Sequence, residues 1–330
     1  LTRIPDLVVV GCGEHTTETL LPAITSLGRA RVVGLCDADP DRARTLGRRF
    51  DVKQRGSDMH RMIDELRPDA VVLAGPPGMH TDGALHAFAA GSHVLAEKPP
   101  AGSTPDLTKM ARAAEATGLT GMVAHNLRHT AAWRRLIERT PLDQLTSIVI
   151  TYHASGPTGG RWGLGPLDAF LLTHAVHVFD LLNAALGTPS ETNHEIHDAG
   201  NGRFSLTTQW HSLAGVVGIA VVSTCAPRLD WRVQLSTNTG VLANISSPRD
   251  LVIQGPRTTD DWSAGRRETW NARTLDAGYD AAGYGAELDH FLDCIAGSAV
   301  AAPSFTDELA VYRALDDLYD QTGKGPRPRG

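Results

Sequence analysis

The sequence predicts an α/β protein in two parts. Residues 1–125 read as a Rossmann-type, doubly wound parallel sheet, and residues 126–330 as an α+β domain with a large, mostly antiparallel sheet. Three observations carry this. The chain has 330 residues, which at roughly 150 per domain suggests two. Strand-like and helix-like segments alternate through the first 125 residues, the grammar of parallel sheets. After Thr140-Pro141 strand-like runs succeed one another and the helices gather elsewhere.

The β-branched run at 7–10 ends in Gly11 and reads as a buried strand, with a helix from Glu14 to Leu27. RVVGLC at 31–36 is the next strand. Asp39-Pro40 opens a helix to about Arg49, Pro being well placed in a first turn. A helix over Ser57–Leu66, a strand over Asp69–Ala74, a helix from His80 to Ala90 and a strand at 93–95 follow. Thr104–Thr117 reads as a helix and 120–124 as the last strand of the series.

In the second part 145–154 reads as a strand and Pro166–Leu186 as a long apolar helix stopped at Gly187-Thr188-Pro189. Strand-like runs cover 203–211, 215–224, 231–237, 240–245 and 249–253, with turn residues between them. Helices near 284–296 and 306–321 close the chain and are placed to pack back on the first domain. The tail KGPRPRG reads as loose.

Composition excludes several classes. The chain is 42% apolar and 21% charged, with a formal charge of −6, an ordinary globular balance. No basic block points to nucleic acid. No apolar run reaches the roughly 18 residues expected of a spanning helix; the nearest, Leu213–Ala226, reads as a buried strand. Cys12, Cys36, Cys225 and Cys294 lie far apart without a CxxC pair, so a cytoplasmic location with reduced thiols and no structural metal is expected.

Gly11-Cys12-Gly13 leaves a strand and opens a helix, the setting of a dinucleotide phosphate turn. The first Gly permits the tight turn, the second a close approach of backbone to pyrophosphate, and the helix start favours the anion. Glu14 and His15 follow at that helix start. Thr16 stands where GxGxxG has its third Gly, so looser packing or a hydroxyl near the phosphates is expected. Asp37 ends the second strand, where a carboxylate takes the ribose hydroxyls and repels a 2′-phosphate. NAD is therefore expected, and Arg42 and Arg44 nearby leave NADP open.

Lysine is rare: Lys53, Lys98, Lys109 and Lys324 are the only four, within 31 Lys and Arg. Lysine can yield a proton at accessible pH and arginine cannot, so Lys98 in the loop after 93–95 invites a chemical role. The stretch GSHVLAEKPPA, with Glu97-Lys98-Pro99, resembles a motif of the Gfo/Idh/MocA oxidoreductases, named for glucose–fructose oxidoreductase and inositol dehydrogenase. The resemblance extends to the GxG turn, Asp37, Pro76 with His80, Asn126-x-Arg128, and Leu171-Leu172 through His177-x-x-Asp180 to Gly187.

That resemblance implies an enzyme transferring a hydride between nicotinamide and a carbinol or carbonyl carbon of a sugar, cyclitol or related hydroxylated molecule. It makes Lys98 and His177 the catalytic pair. Lys98 would stabilise the reacting oxygen, and His177 would relay the proton or bind substrate. Pro76, His80 and Glu97 would shape the cofactor cleft. Arg128 and His174 fall on the substrate side. Thr173 occupies the position, four before His177, where polyol-oxidising members carry Asp, so the usual Lys–Asp–His relay is not intact. Trp162, in GPTGGRWGLG, would stack on a sugar ring or pack in the core. A homodimer or homotetramer is implied. The competing readings are a redox-neutral enzyme with tightly held NAD, cleaving or epimerising glycosides, and a dinucleotide-binding regulator.

Overall fold

The computed structural model describes residues 3–257, 265–272 and 278–323. The tail read as loose lies outside them. The described chain forms two compact units. The first runs to His125 and takes in Tyr284–Leu309; the second holds Asn126–Gly283 and resumes at Ala310.

The first unit is a six-stranded parallel sheet: β1 (Asp6–Val10), β2 (Arg31–Cys36), β3 (Gln54–Gly56), β4 (Ala70–Leu73), β5 (His93–Glu97) and β6 (Gly121–Ala124). The spatial order is β3-β2-β1-β4-β5-β6, with every described pairing parallel. Val8, Val9, Val71, Val72, Val94, Leu95 and Val123 are buried at 0–1% exposure, which is why these strands read as continuous apolar runs. β3 went unread because its sequence, QRG, is polar and mostly exposed.

The helices are α1 (Leu21–Leu27), α2 (Pro40–Arg49), α3 (Met59–Leu66), α4 (Pro77–Ala89) and α5 (Thr104–Thr117). Asp39, Asp58 and Ser103 cap α2, α3 and α5 by accepting from the amides of Asp41, Arg61 and Asp106. α4 starts three residues before the expected His80, with Pro77 in its first turn; a proline is tolerated there because that N–H has no helical partner. A turn of π-helix, Thr16–Leu20, precedes α1.

In the second unit α6 (Ala131–Arg139) precedes an eight-stranded sheet: β7 (Leu145–His153), β8 (Pro189–Gly200), β9 (Arg203–Ser212), β10 (Val217–Ser223), β11 (Asp230–Thr237), β12 (Leu242–Ser247), β13 (Asp250–Arg257) and β14 (Gly265–Asn271). Their order is β14-β13-β12-β11-β7-β10-β9-β8. Neighbours are antiparallel except β7 with β10. α7 (Pro166–Phe170), a π turn (Leu171–Ala175) and α8 (Val176–Leu186) form one continuous helix. Its 21 residues are long and apolar enough to cross a bilayer, a length the sequence reading passed over. Phe170, Val176, Phe179, Leu181 and Leu182 are wholly buried in the core of the unit, however, so it is a core helix. It lies close on the sheet: a Cβ on Gly218 of β10 would stand 2.7 Å from Leu182 and Leu186.

α6, β8 and β14 were not expected. β8 carries PSETNHEIHDAG, of which only Thr192 and His194 are buried. An edge strand this polar has no apolar alternation to read. The short helix α9 (Gly278–Ala281) and the closing helices α10 (Tyr284–Ile295) and α11 (Phe305–Gln321) complete the chain. Within the first unit Phe305 fills the space beside Gly121, where a Cβ would come within 2.6 Å of its ring. Arg29 pairs with Asp289 and, at 2.8 Å, with Asp293 on α10.

Candidate active site

The GxG turn is built as its glycines require. Gly11 has φ +100°, and a Cβ there would stand 2.3 Å from the Ala74 carbonyl oxygen, so only glycine fits. At Gly13 a Cβ would meet nothing within 4 Å: open space faces the turn at the start of the helix. This is the cradle a dinucleotide pyrophosphate needs, and the residues fit the group. Thr16 is fully buried, and its hydroxyl donates back to the Gly11 carbonyl at 2.6 Å. It therefore braces the turn rather than facing the phosphates. Glu14 is exposed.

Asp37 was expected to reach the ribose. Its Oδ2 accepts from the Cys12 amide at 2.6 Å and its Oδ1 from the Asp39 amide at 2.9 Å. The carboxylate thus ties the GxG turn to the start of α2, and each oxygen retains a further acceptor direction. A concavity of about 390 Å³ opens nearby, lined by Pro40, Arg44, Arg48, Lys53, Arg55 and Gly56.

Lys98 follows the last residue of β5, at the same end of the parallel sheet as the GxG turn. It is half-buried. Glu97, 8% exposed, accepts from His15 Nε2 at 2.8 Å and from the Lys98 amide at 3.3 Å. Burial alone would raise the Glu97 carboxyl, but His15, Lys98 and His80 outweigh it and hold the group below the usual range. His15 also packs edge-on against Tyr284, ring centroids 5.1 Å apart. Two residues expected as separate cofactor ligands are therefore partners of one another.

His80 is wholly buried and bonded on both ring nitrogens. The Gly75 amide donates to Nε2 at 3.0 Å, and Nδ1 donates to the Pro99 carbonyl at 3.1 Å. Burial pushes its pKa down to about 4, so the ring is neutral at physiological pH. Pro76 is exposed at the start of α4. Sequence reasoning missed a further pair. His125, just past β6, places Nε2 3.1 Å from both carboxylate oxygens of Glu308, and both side chains are fully buried. The register of β5 with β6 sets Glu97 opposite Ala124, so Lys98 and His125 are the next positions of adjacent strands. Spacing could not reveal this pair, which joins residues 183 positions apart.

In the second unit Thr173, His174 and His177 are buried at 7–8% exposure. Thr173 and His174 lie in the π turn, and His177 is the second residue of α8. His174 Nε2 bonds the Gly156 carbonyl. The Tyr152 ring lies 5.4 Å from the ring of His174 and 6.2 Å from that of His177. Burial pushes the Tyr152 hydroxyl up to about 12, so it stays protonated and can donate. π turns inside α-helices are found frequently at functional sites.

Arg128, expected on the substrate side, has a partner within the protein. Its Nε donates to both Asp180 carboxylate oxygens at 2.7–2.8 Å, and Nη2 reaches the Asp180 carbonyl at 3.2 Å. The two side chains are 13% and 1% exposed. Asp180, three residues after His177 on the helix, thus serves an ion pair within the protein. Trp162 sits at φ +54° with Arg161 over its ring and packs partly buried against the core.

Residues 6–125 match the Gfo/Idh/MocA family model, described as an oxidoreductase family with an NAD-binding Rossmann fold. That stretch carries the NAD-binding domain of the Gfo/Idh/MocA oxidoreductases. It is 23% identical to a 4-carboxy-2-hydroxymuconate-6-semialdehyde dehydrogenase of Sphingobium over 96% of this chain and 99% of that one. It is 28% identical to the levoglucosan dehydrogenase of Pseudarthrobacter phenanthrenivorans over 48% of this chain. That alignment spans 43% of the relative's length. Among solved structures, a dehydrogenase from Chromobacterium violaceum superposes with a TM-score of 0.90 at 24% identity, covering 98% of this chain and 97% of that one. At that identity the likeness speaks to the fold. The two chains share one fold over nearly their whole lengths.

Proposed function

We propose that this chain is an NAD(P)-dependent oxidoreductase acting on a carbinol or carbonyl carbon of a sugar, cyclitol or related polyhydroxylated small molecule. The observation that carries the proposal is the pairing of the Gly11–Gly13 cradle after β1 with Lys98 after β5. These strands are separated only by β4, and all three run parallel. Open parallel sheets bind ligands at this end.

Gly11, Gly13 and Asp37 would hold the dinucleotide, which supplies the hydride donor or acceptor when bound. Lys98 holds the reacting oxygen. Its ammonium stabilises negative charge as that oxygen becomes an alkoxide, and its amine form takes the hydroxyl proton. Glu97 and His15 set the charge beside it. His177 is proposed as the second proton carrier or a ligand of substrate hydroxyls, with Thr173 and His174 beside it on the helix. The levoglucosan dehydrogenase relative supports a sugar-like substrate. Asp37 favours NAD, and the arginine-lined concavity makes NADP a necessary arm of the test.

The test is a panel of levoglucosan, methyl glucosides and inositols with NAD+ or NADP+, followed at 340 nm. Turnover of at least one compound, lost in Lys98→Ala, is expected. Tight NADH binding with no reduction by any compound would overturn net oxidoreduction. We also propose a homodimer or homotetramer, read by light scattering, and a cytoplasmic location, supported by the free thiols of Cys12, Cys36, Cys225 and Cys294.

A further inference from the structure

His80 belongs to α4, yet both of its hydrogen bonds leave that helix. Nε2 takes the Gly75 amide from the loop that follows β4, and Nδ1 gives its proton to the carbonyl of Pro99, the residue after Lys98. We infer that His80 is a positioning residue for Lys98: a wholly buried imidazole that fixes the Lys98–Pro99 turn against the Gly75–Pro76 loop without touching cofactor or substrate.

The chemistry of the bonds makes the assignment specific. A backbone N–H can donate to Nε2 only if that nitrogen carries no proton, so the ring is the Nδ1–H tautomer and Nδ1 must be the donor. A protonated ring would turn a donor towards the Gly75 N–H and lose that bond. An apolar side chain of similar size would fill the space and leave the Gly75 N–H and Pro99 C=O without these partners. Gly75 and Pro99 are 24 residues apart in sequence, and His80 is bonded to both. The inference rests on the proposed role of Lys98 and is tested by a readout that needs no substrate.

The chain has only four lysines. Reductive methylation with ¹³C-formaldehyde therefore gives a sparse NMR spectrum in which Lys98 is assigned by Lys98→Arg. Three variants divide the two bonds. His80→Leu removes both. His80→Asn keeps a donor near the Nδ1 position, and His80→Gln keeps an acceptor near the Nε2 position. His80→Leu is expected to move the Lys98 signal and leave Lys53 and Lys109 in place, with NADH affinity by fluorescence within threefold of wild type. Asn is expected to restore the Lys98 signal more fully than Gln. With whichever panel compound turns over, kcat should fall at least tenfold in His80→Leu and recover in the same order.

An unmoved Lys98 signal in His80→Leu overturns the inference. So does a loss of NADH affinity in step with any loss of kcat, because His80 would then be a cofactor ligand. If His80→Leu does not fold, the wild-type imidazole ¹⁵N spectrum decides together with the other two variants. A non-titrating Nδ1–H tautomer with Asn superior to Gln supports the inference. An Nε2–H tautomer, titration between pH 5.5 and 8, or equal Asn and Gln spectra overturns it. Failure of every panel compound would sink the proposed function and leave the lysine spectrum free to decide on His80.

Discussion

His15 Nε2 lies 2.8 Å from Glu97 Oε1, a bond that joins the helix start of the phosphate turn to the residue before Lys98. Glu97 is therefore a charged, buried group held between an imidazole and the neighbourhood of an ammonium. Glu97→Gln is expected to lower turnover at pH 7 about tenfold or more, less than the roughly 10²–10⁴-fold of a group that transfers the proton itself. It should also move the His15 ring resonances in the NMR spectrum of the nucleotide-free protein, because the bond to Glu97 is changed. His15 resonances that are the same in both proteins would refute the pairing.

Lys98→Ala is expected to reduce turnover by about 10²–10⁴-fold while NADH affinity stays within threefold. Parallel titrations of NADH fluorescence and initial rate make the comparison. A rate within tenfold of wild type would remove Lys98 from the chemistry.

Asp37→Ala should do two things at once, because the carboxylate accepts from the Cys12 and Asp39 amides. Losing these acceptors is expected to destabilise the protein by about 1–3 kcal/mol, visible as a lower Tm without nucleotide. NAD affinity should fall, and discrimination against NADP should relax. Weaker NAD binding with an unchanged Tm would mean that the carboxylate serves the ribose alone.

The pH dependence of stability has a definite sign. Burial pushes His80 and His194 down to about 4, whereas an unfolded histidine titrates near 6.5. Between those values the unfolded chain binds more protons, so stability rises with pH. Each group contributes stability that is complete above about pH 6.5 and is lost towards pH 4, up to about 3 kcal/mol apiece. Urea unfolding at pH 7.5, 6 and 5 should show falling midpoints. In His194→Gln the fall should be shallower; an unchanged slope would mean that His194 is already charged at pH 6.

The Arg128–Asp180 pair is expected to be structural. Asp180→Asn removes the carboxylate paired with a largely buried guanidinium and should cost about 3–5 kcal/mol. Arg128→Met combined with Asp180→Leu should recover most of that loss. If the double variant is no more stable than Asp180→Asn alone, the pair does more than compensate charge.

Most of the architecture was legible because burial leaves a periodic trace. Val8 to Val10, Val71 to Leu73 and Val94 to Ala96 are apolar on both faces, and Asp39-Pro40 and Ser103-Thr104-Pro105 announce helix starts. β8 left no such trace, since an edge strand exposes most of its side chains. The site was legible in its residue types but not in its pairings. Lys98, Glu97, His15 and His80 could each be singled out from motifs and loops. Which of them holds which depends on strand order and on buried bonds across tens of residues. Arg128 illustrates the limit: a guanidinium after a parallel strand suits an anionic ligand or an internal carboxylate equally well, and only the fold supplied Asp180.

The π turn at Leu171–Ala175 bears on how this chain can be aligned with others. Bonding from i to i+5 takes up one residue more than a regular turn, so residues before it are rotated relative to those after it. Counting four positions back from His177 to Thr173 crosses that slip, and equal spacing in a relative with an unbroken helix would point a side chain elsewhere. Removing Ala175 alone would keep every motif residue yet swing Thr173 and its predecessors around the helix axis relative to His177. Homologues should therefore be compared here by superposition of the helix, because gap-free alignment treats a rotation as a substitution.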